Sequence, residues 1–155
     1  MEEEGRLASI NVSGGGVPKR PVSSARVTPS GVEGDRQADL EHHGGVERAV
    51  SVFSLERIES LRREGHPIAV GSTGENLTVR GLDWNRVVPG ADLRVGSVLL
   101  RITSYATPCS TIQASFWGGH FARISQKNHP GWSRVYARVL EGGSVEVDDP
   151  VRIGP

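Results

Sequence analysis

No apolar run in this chain of 155 residues is longer than a β-strand, and glycine or proline interrupts nearly all of them. A chain that must bury its apolar side chains in such short pieces builds many strands joined by tight turns. The 20 glycines, 9 prolines and an aromatic content of only 5% favour that architecture over long helices. The length suffices for one hydrophobic core rather than two, so residues 1–155 are expected to form a single domain, with the acidic residues 1–5 as a tail outside it.

Period-two alternation marks the strands. In residues 7–12, Ala8, Ile10 and Val12 are expected to face one way and Leu7, Ser9 and Asn11 the other. Residues 22–28 form a second candidate strand, and residues 49–53 read as a buried one. Ser54 follows as a helix N-cap, Leu55, Ile58 and Leu61 share one helical face, and Gly65 and Pro67 act as stop signals. Beyond this helix, residues 76–79 alternate. Residues 93–95 and 98–102 flank Gly96-Ser97, and residues 135–140 and 145–147 flank Gly142-Gly143, so two hairpins and antiparallel pairing are expected. The fold class is mostly β, a closed or nearly closed barrel with one or two short helices.

Charge and cysteine content narrow the partners. Lys and Arg number 18 and Asp and Glu 18, so no summed field attracts nucleic acid or an anionic membrane. No apolar run approaches the ~20 residues needed to span a bilayer. The lone cysteine cannot close an internal disulfide, and the first residues are acidic rather than a basic leader, so a reducing cytoplasm is expected.

Several groups of residues can carry chemistry. Cys109 follows Pro108 just beyond a strand, which places its thiol in a constrained turn at the barrel rim. It reads either as a small buried hydrophobe or as a reactive thiolate, and the second role needs nearby positive charge or a metal. Asp35, Arg36, His42, His43 and Arg48 lie in a glycine-punctuated polar stretch. They either present guanidinium and imidazole donors to a small anion or form a solvated loop, with Asp35 paired to Arg36 or Arg48 at the surface. Adjacent histidines with no third ligand at zinc spacing give a zinc site little support. Lys19 and Arg20 follow a glycine run that lacks the Walker spacing, and Asn76 lies in a polar lead-in to a strand. Arg134 and Arg138 share a strand face opposite Val135, Ala137 and Val139.

In order along the chain, Gly16-Val17-Pro18-Lys19, Gly34-Asp35-Arg36-Gln37, His42-His43-Gly44-Gly45 with Arg48-Ala49-Val50, Gly74-Glu75-Asn76-Leu77-Thr78-Val79, Pro108-Cys109 and Arg138-Val139-Leu140 together resemble a MOSC domain. This family is named from the C-terminal domain of molybdenum-cofactor sulfurase, and the likeness is to its short stand-alone bacterial form. The resemblance implies a β-barrel-like fold and molybdenum-cofactor-related sulfur chemistry. It assigns Cys109 either to molybdenum ligation in the reduction of N-hydroxylated substrates or to carriage of a persulfide sulfur, in which case no cofactor is required. It further implies that Lys19, Asp35, Arg36, His43, Arg48, Asn76 and Arg138 bind the cofactor, the cations gripping a pterin phosphate. Neither the extra N-terminal barrel of the reductases nor the pyridoxal-phosphate domain of the sulfurases fits this length, so an external redox or sulfur-donor protein is expected as partner. Val147-Asp148-Asp149-Pro150 departs from the Gly-Asp found near the end of many relatives. A metal-free carbon-sulfur bond enzyme and a non-catalytic module for a small anionic ligand or a partner protein are the alternative readings.

Overall fold

The computed structural model describes residues 4–36 and 45–154. Seven strands close into a barrel. In chain order they are β1 (Glu4–Val12), β5 (Val50–Ser54), β6 (Leu77–Arg80), β7 (Asp92–Val95), β8 (Val98–Tyr105), β9 (Val135–Glu141) and β11 (Pro150–Ile153). The spatial order is β11-β7-β8-β9-β5-β6-β1, and β1 pairs back onto β11. Closure leaves no long edge exposed to another chain. β2 (Arg20–Val22) extends β1, while β3 (Ser24–Thr28), β4 (Gly31–Val32) and β10 (Gly143–Glu146) form a separate three-stranded sheet.

The barrel is antiparallel except for β5 and β6, and the exception follows from the helix between them. A parallel pair needs a crossover long enough to return the chain to the same end. Helix α1 (Leu55–Arg63) supplies it, with the Ser54 side chain accepting the Arg57 N–H at 3.2 Å as N-cap. Its apolar face buries Ile58 and Leu61 in the core, each worth about 1.5–3 kcal/mol of burial. The crossover brings Ser51 of β5 beside Asn76, immediately before β6, although 25 residues separate them. Among the described residues no helix is long and apolar enough to cross a membrane.

Three expectations need correction. Strict alternation in β1 fails, because the register against β6 shifts between Leu7 and Ser9. The irregularity moves the inward face by one residue, so both Leu7 and Ile10 are fully buried in the core while Ser9 and Asn11 are buried as polar groups. The acidic start is not wholly a tail, since Glu4 and Gly5 pair with Arg152 and Val151 of β11. The Gly142-Gly143 segment does not turn a hairpin: β10 leaves β9 and pairs with β3. The β-carbon of a side chain at 142 would lie 2.6 Å from the Val27 carbonyl oxygen, so the chain passes over β3 at a distance only glycine permits. The Gly96-Ser97 hairpin and α1 form as expected.

Another close approach positions the functional cleft. Gly71 has φ +80°, its carbonyl accepts the Lys19 N–H at 2.9 Å, and an added β-carbon would lie 2.3 Å from the Lys19 carbonyl oxygen. Gly71→Ala is therefore expected to lower unfolding free energy in urea by about 1–3 kcal/mol through backbone strain and displacement of the Lys19 segment. Unchanged stability would show that the two segments are not in this contact.

Candidate functional site

The site is assembled around one carboxylate. Asp35 follows β4, and its loop is tied to the loop after β1 by two bonds: Ser13 N–H donates to Asp35 Oδ1 at 2.9 Å, and Arg36 N–H to the Ser13 carbonyl at 2.8 Å. Asp35 Oδ2 accepts from Lys19 Nζ and from Asn76 Nδ2, each at 2.8 Å. The expected surface pair of Asp35 with Arg36 or Arg48 is thus replaced by a pair with Lys19, whose side chain is 7% exposed against 6% for Asp35. At that burial neither charge is tolerable alone, and the Asn76 and Ser13 donors complete the carboxylate's shell.

Asn76 is fixed on every side. Its Oδ1 accepts from Ser51 N–H at 3.0 Å and from Ser51 Oγ at 3.3 Å, its backbone N–H donates to Ser51, and its Nδ2 also reaches the Asn11 carbonyl at 3.3 Å. Beside it, Glu75 is fully buried and accepts from Gly71 N–H, Thr73 Oγ1 and Thr78 Oγ1 at 2.9–3.0 Å. Burial pushes the Glu75 carboxyl above the usual carboxylate range, and these donors pull it partly back.

Cys109 enters the site from the end of β8. The register pairs Tyr105 of β8 with Val135 of β9, and Ala106 N–H then donates to the Arg134 carbonyl at 2.9 Å. The Thr107-Pro108-Cys109 segment therefore leaves the barrel beside Arg134. Cys109 is half-buried and extended, with φ −142° and ψ 179°, and precedes a 310 segment, Ser110–Ser115. In place of the turn expected at Pro108-Cys109, the chain after β8 runs extended to Cys109, and the first turn follows it, with Ile112 N–H donating to the Cys109 carbonyl at 3.2 Å.

A cavity of about 150 Å³ joins these elements. Its lining includes the cations Lys19, Arg36 and Arg134, the polar Ser51 and Thr73 beside Asn76, and Thr107, Cys109 and Tyr136. Arg48 is exposed and stacks over the Tyr136 ring, 5.5 Å from its centroid, so it reaches the cavity through that ring. His43 lies outside the described residues. Arg138 does not line the cavity; it is exposed and pairs with Glu47 at 3.2 Å.

Arg134, the residue immediately before β9, does line it. Arg134, Tyr136 and Arg138 share one face, as the sequence period indicates, but successive members of that face are about 7 Å apart. The first is buried beside Cys109 and the third reaches solvent. Arg134 Nη1 donates to the Thr73 carbonyl at 2.6 Å, while its Nε is buried without a partner among the described residues. Burial lowers the Arg134 pKa, and Tyr136, Glu75 and Cys109 oppose that shift. Arg134 was named in the sequence with Arg138, whereas Ser51, Thr73 and Tyr136 were missed, since nothing local distinguishes them. Among the described residues no group of three His, Cys, Asp or Glu side chains is placed to hold a metal ion.

The buried Glu75 carboxyl predicts a pH dependence. Because its folded pKa is raised, the folded state binds the proton more tightly than the unfolded state, and stability falls as pH rises from the unfolded value through the folded one. Unfolding free energy of the native protein minus that of Glu75→Gln should therefore decrease with rising pH, by about 1.4 kcal/mol for each unit of the shift. A difference independent of pH from about 4 to about 8 would contradict it.

Comparison with known proteins bears on the family to which this chain belongs. The MOSC domain family model matches residues 39–152. The protein YflK of Bacillus subtilis (strain 168) is 35% identical over 135 residues, covering 84% of this chain and 59% of the relative. YiiM of Escherichia coli (strain K12) is 30% identical over 132 residues, covering 82% and 58%. A protein named a reductase in Gibberella moniliformis is 30% identical over 130 residues, 80% of this chain but 22% of that one. The chain thus spans under three-fifths of the length of these relatives. The crystal structure of YiiM from Geobacillus stearothermophilus superposes with TM-score 0.73 at 24% identity, covering 97% of this chain and 75% of that one. The YUAD protein of Bacillus subtilis superposes with TM-score 0.76 at 15% identity, covering 99% and 97%, and supports the fold alone. With a family model spanning most of the chain, and with the barrel and segment order expected of it, this protein belongs to the MOSC domain family.

Proposed function

We propose that the Cys109 cleft binds molybdenum cofactor, with the Cys109 thiolate as a metal ligand, and that the protein reduces N-hydroxylated compounds with electrons from a separate protein. The supporting observation is the convergence of a half-buried thiol with Lys19, Arg36 and Arg134 on one cavity. The residues suit the group. A thiolate is a soft ligand for a high-valent metal, and since no cluster of protein ligands surrounds it among the described residues, the remaining ligands would come from the cofactor itself. The orphaned Nε of Arg134 and the exposed guanidinium of Arg36 supply charge for anionic groups.

When bound, the cofactor would supply a redox-active metal able to accept oxygen from an N–O bond. The chain's own residues do the rest. Asp35 holds Lys19 and Asn76 in place, the exposed Arg36 offers a fork to a phosphate, and Tyr136, with Arg48 stacked on its ring, lines the cavity. Reduction of an N-hydroxyl group consumes two electrons and two protons and releases water; the electrons would come from the partner. The reductase name of the Gibberella moniliformis relative is in keeping with this reading.

The cavity's size favours one competing reading. At about 150 Å³ it is smaller than the ~300 Å³ typical of pockets that enclose a whole organic ligand, and it would hold a single added sulfur easily. In that reading Cys109 thiolate attacks the outer sulfur of a donor persulfide, gains that sulfur, and the donor leaves as a thiolate.

Protein purified from a host that makes the cofactor separates the two. The first reading predicts molybdenum and pterin near one per chain, reduced at least about tenfold in Cys109→Ser, in line with the loss expected when a metal ligand is removed. Folded protein carrying neither, whose Cys109 gains one sulfur from a persulfide donor by intact-mass measurement, would replace it with the second.

A further inference from the structure

Two buried guanidinium atoms lack a partner among the described residues, Arg123 Nη1 and Arg134 Nε. The first has a structural explanation, because Arg123 grips Glu64 through its other two nitrogens and stacks on Trp132. Arg134 has no carboxylate of its own. Its Nη1 is spent on the Thr73 carbonyl, and Thr73 Oγ1 in turn donates to Glu75, so the guanidinium is held in one orientation. The residue is 8% exposed and shares the cavity wall with Cys109. An unmet buried donor costs about 1–3 kcal/mol, and it is tolerated where an incoming group satisfies it.

We propose that Arg134 and Cys109 together form a subsite for a small oxyanion carried by the substrate, so that the cleft selects molecules bearing a carboxylate or sulfur oxyanion close to the atom that meets the thiol. The inference rests on the reading of this cleft as the functional site and goes beyond it by naming the charge of what reacts there. The geometry favours the substrate over a cofactor phosphate as the source of the anion. The Arg134 carbonyl accepts the N–H of Ala106, three residues before Cys109, and the Arg134 and Cys109 side chains both line the cavity, whereas Arg36 is exposed on the loop after β4, where a phosphate outside the cavity can be met. A guanidinium with one edge already fixed presents Nε–H at little further entropic cost.

Alkylation of Cys109 in metal-free protein tests the subsite. Iodoacetate and iodoacetamide deliver the same carbon to the sulfur and expel the same iodide, but only iodoacetate carries an oxyanion one carbon away. The ratio of the iodoacetate rate to the iodoacetamide rate should be at least about tenfold higher for the folded protein than for the same protein in urea, as a charge-assisted contact supports. In Arg134→Gln the folded ratio should fall to the urea value, and Arg134→Lys should keep part of it. Should Arg134→Gln not fold, the comparison of native folded and urea-treated protein decides alone. Equal ratios in those two states, or a folded Cys109 inert to both reagents, would overturn the proposal. Absence of molybdenum from purified protein would sink the cofactor reading without altering this ratio, and a ratio of one would leave metal binding untouched, so the two failures are distinguishable.

Discussion

The carboxylate of Asp35 is the interaction on which the arrangement of the cleft depends. It receives Lys19 Nζ, Asn76 Nδ2 and Ser13 N–H, joining the loop after β1, the segment leading to β2, the loop after β4 and the start of β6. These segments are distant in sequence, and none is held there by apolar packing alone. A buried carboxylate cannot be left with an empty shell, so the three donors and the acceptor constrain one another. Such a pair contributes little net stability over an apolar replacement, but losing one partner strands the other charge and is severe. Its value to this protein is geometric, since it fixes Lys19 in the lining of the cavity that Cys109 also lines.

The barrel provides the rest of the geometry by simple means. The α1 crossover makes β5 and β6 parallel, which sets Ser51 against Asn76 and lets that amide bridge the strand pair to Asp35. On the other side, the pairing of β8 with β9 fixes where the chain leaves the barrel, and so fixes Cys109 beside Arg134. The two parts are joined where Arg134 Nη1 donates to the Thr73 carbonyl and where Ser51 of β5 pairs with Tyr136 of β9, so a change in one is expected to reach the other.

Legibility in the sequence divides along the same physical line. Local signals were sufficient where local chemistry decides: the Ser54 cap, the α1 face and the Gly96-Ser97 hairpin all follow from nearest neighbours. The motif order pointed to the family, and it brought Lys19, Asp35, Asn76 and Cys109 to attention together. Long-range register was not legible. The shift in β1 that buries both Leu7 and Ile10 depends on β6, and the escape of β10 to β3 depends on a close approach at Gly142. Arg134 and Arg138 share a face in the sequence, yet only the pairing of β8 with β9 tells which is buried at the cavity and which pairs with Glu47 outside.

The central claim is that the buried Lys19–Asp35 pair, rather than apolar packing, holds the cleft wall in place. A double-mutant cycle of Lys19→Met and Asp35→Asn, followed by unfolding free energy in urea, measures it directly. The account predicts that each single change costs about 3–5 kcal/mol and that the double variant loses far less than their sum, because neither charge is then stranded. Additive losses agreeing within about 0.5 kcal/mol would contradict it, showing that the two side chains do not depend on each other.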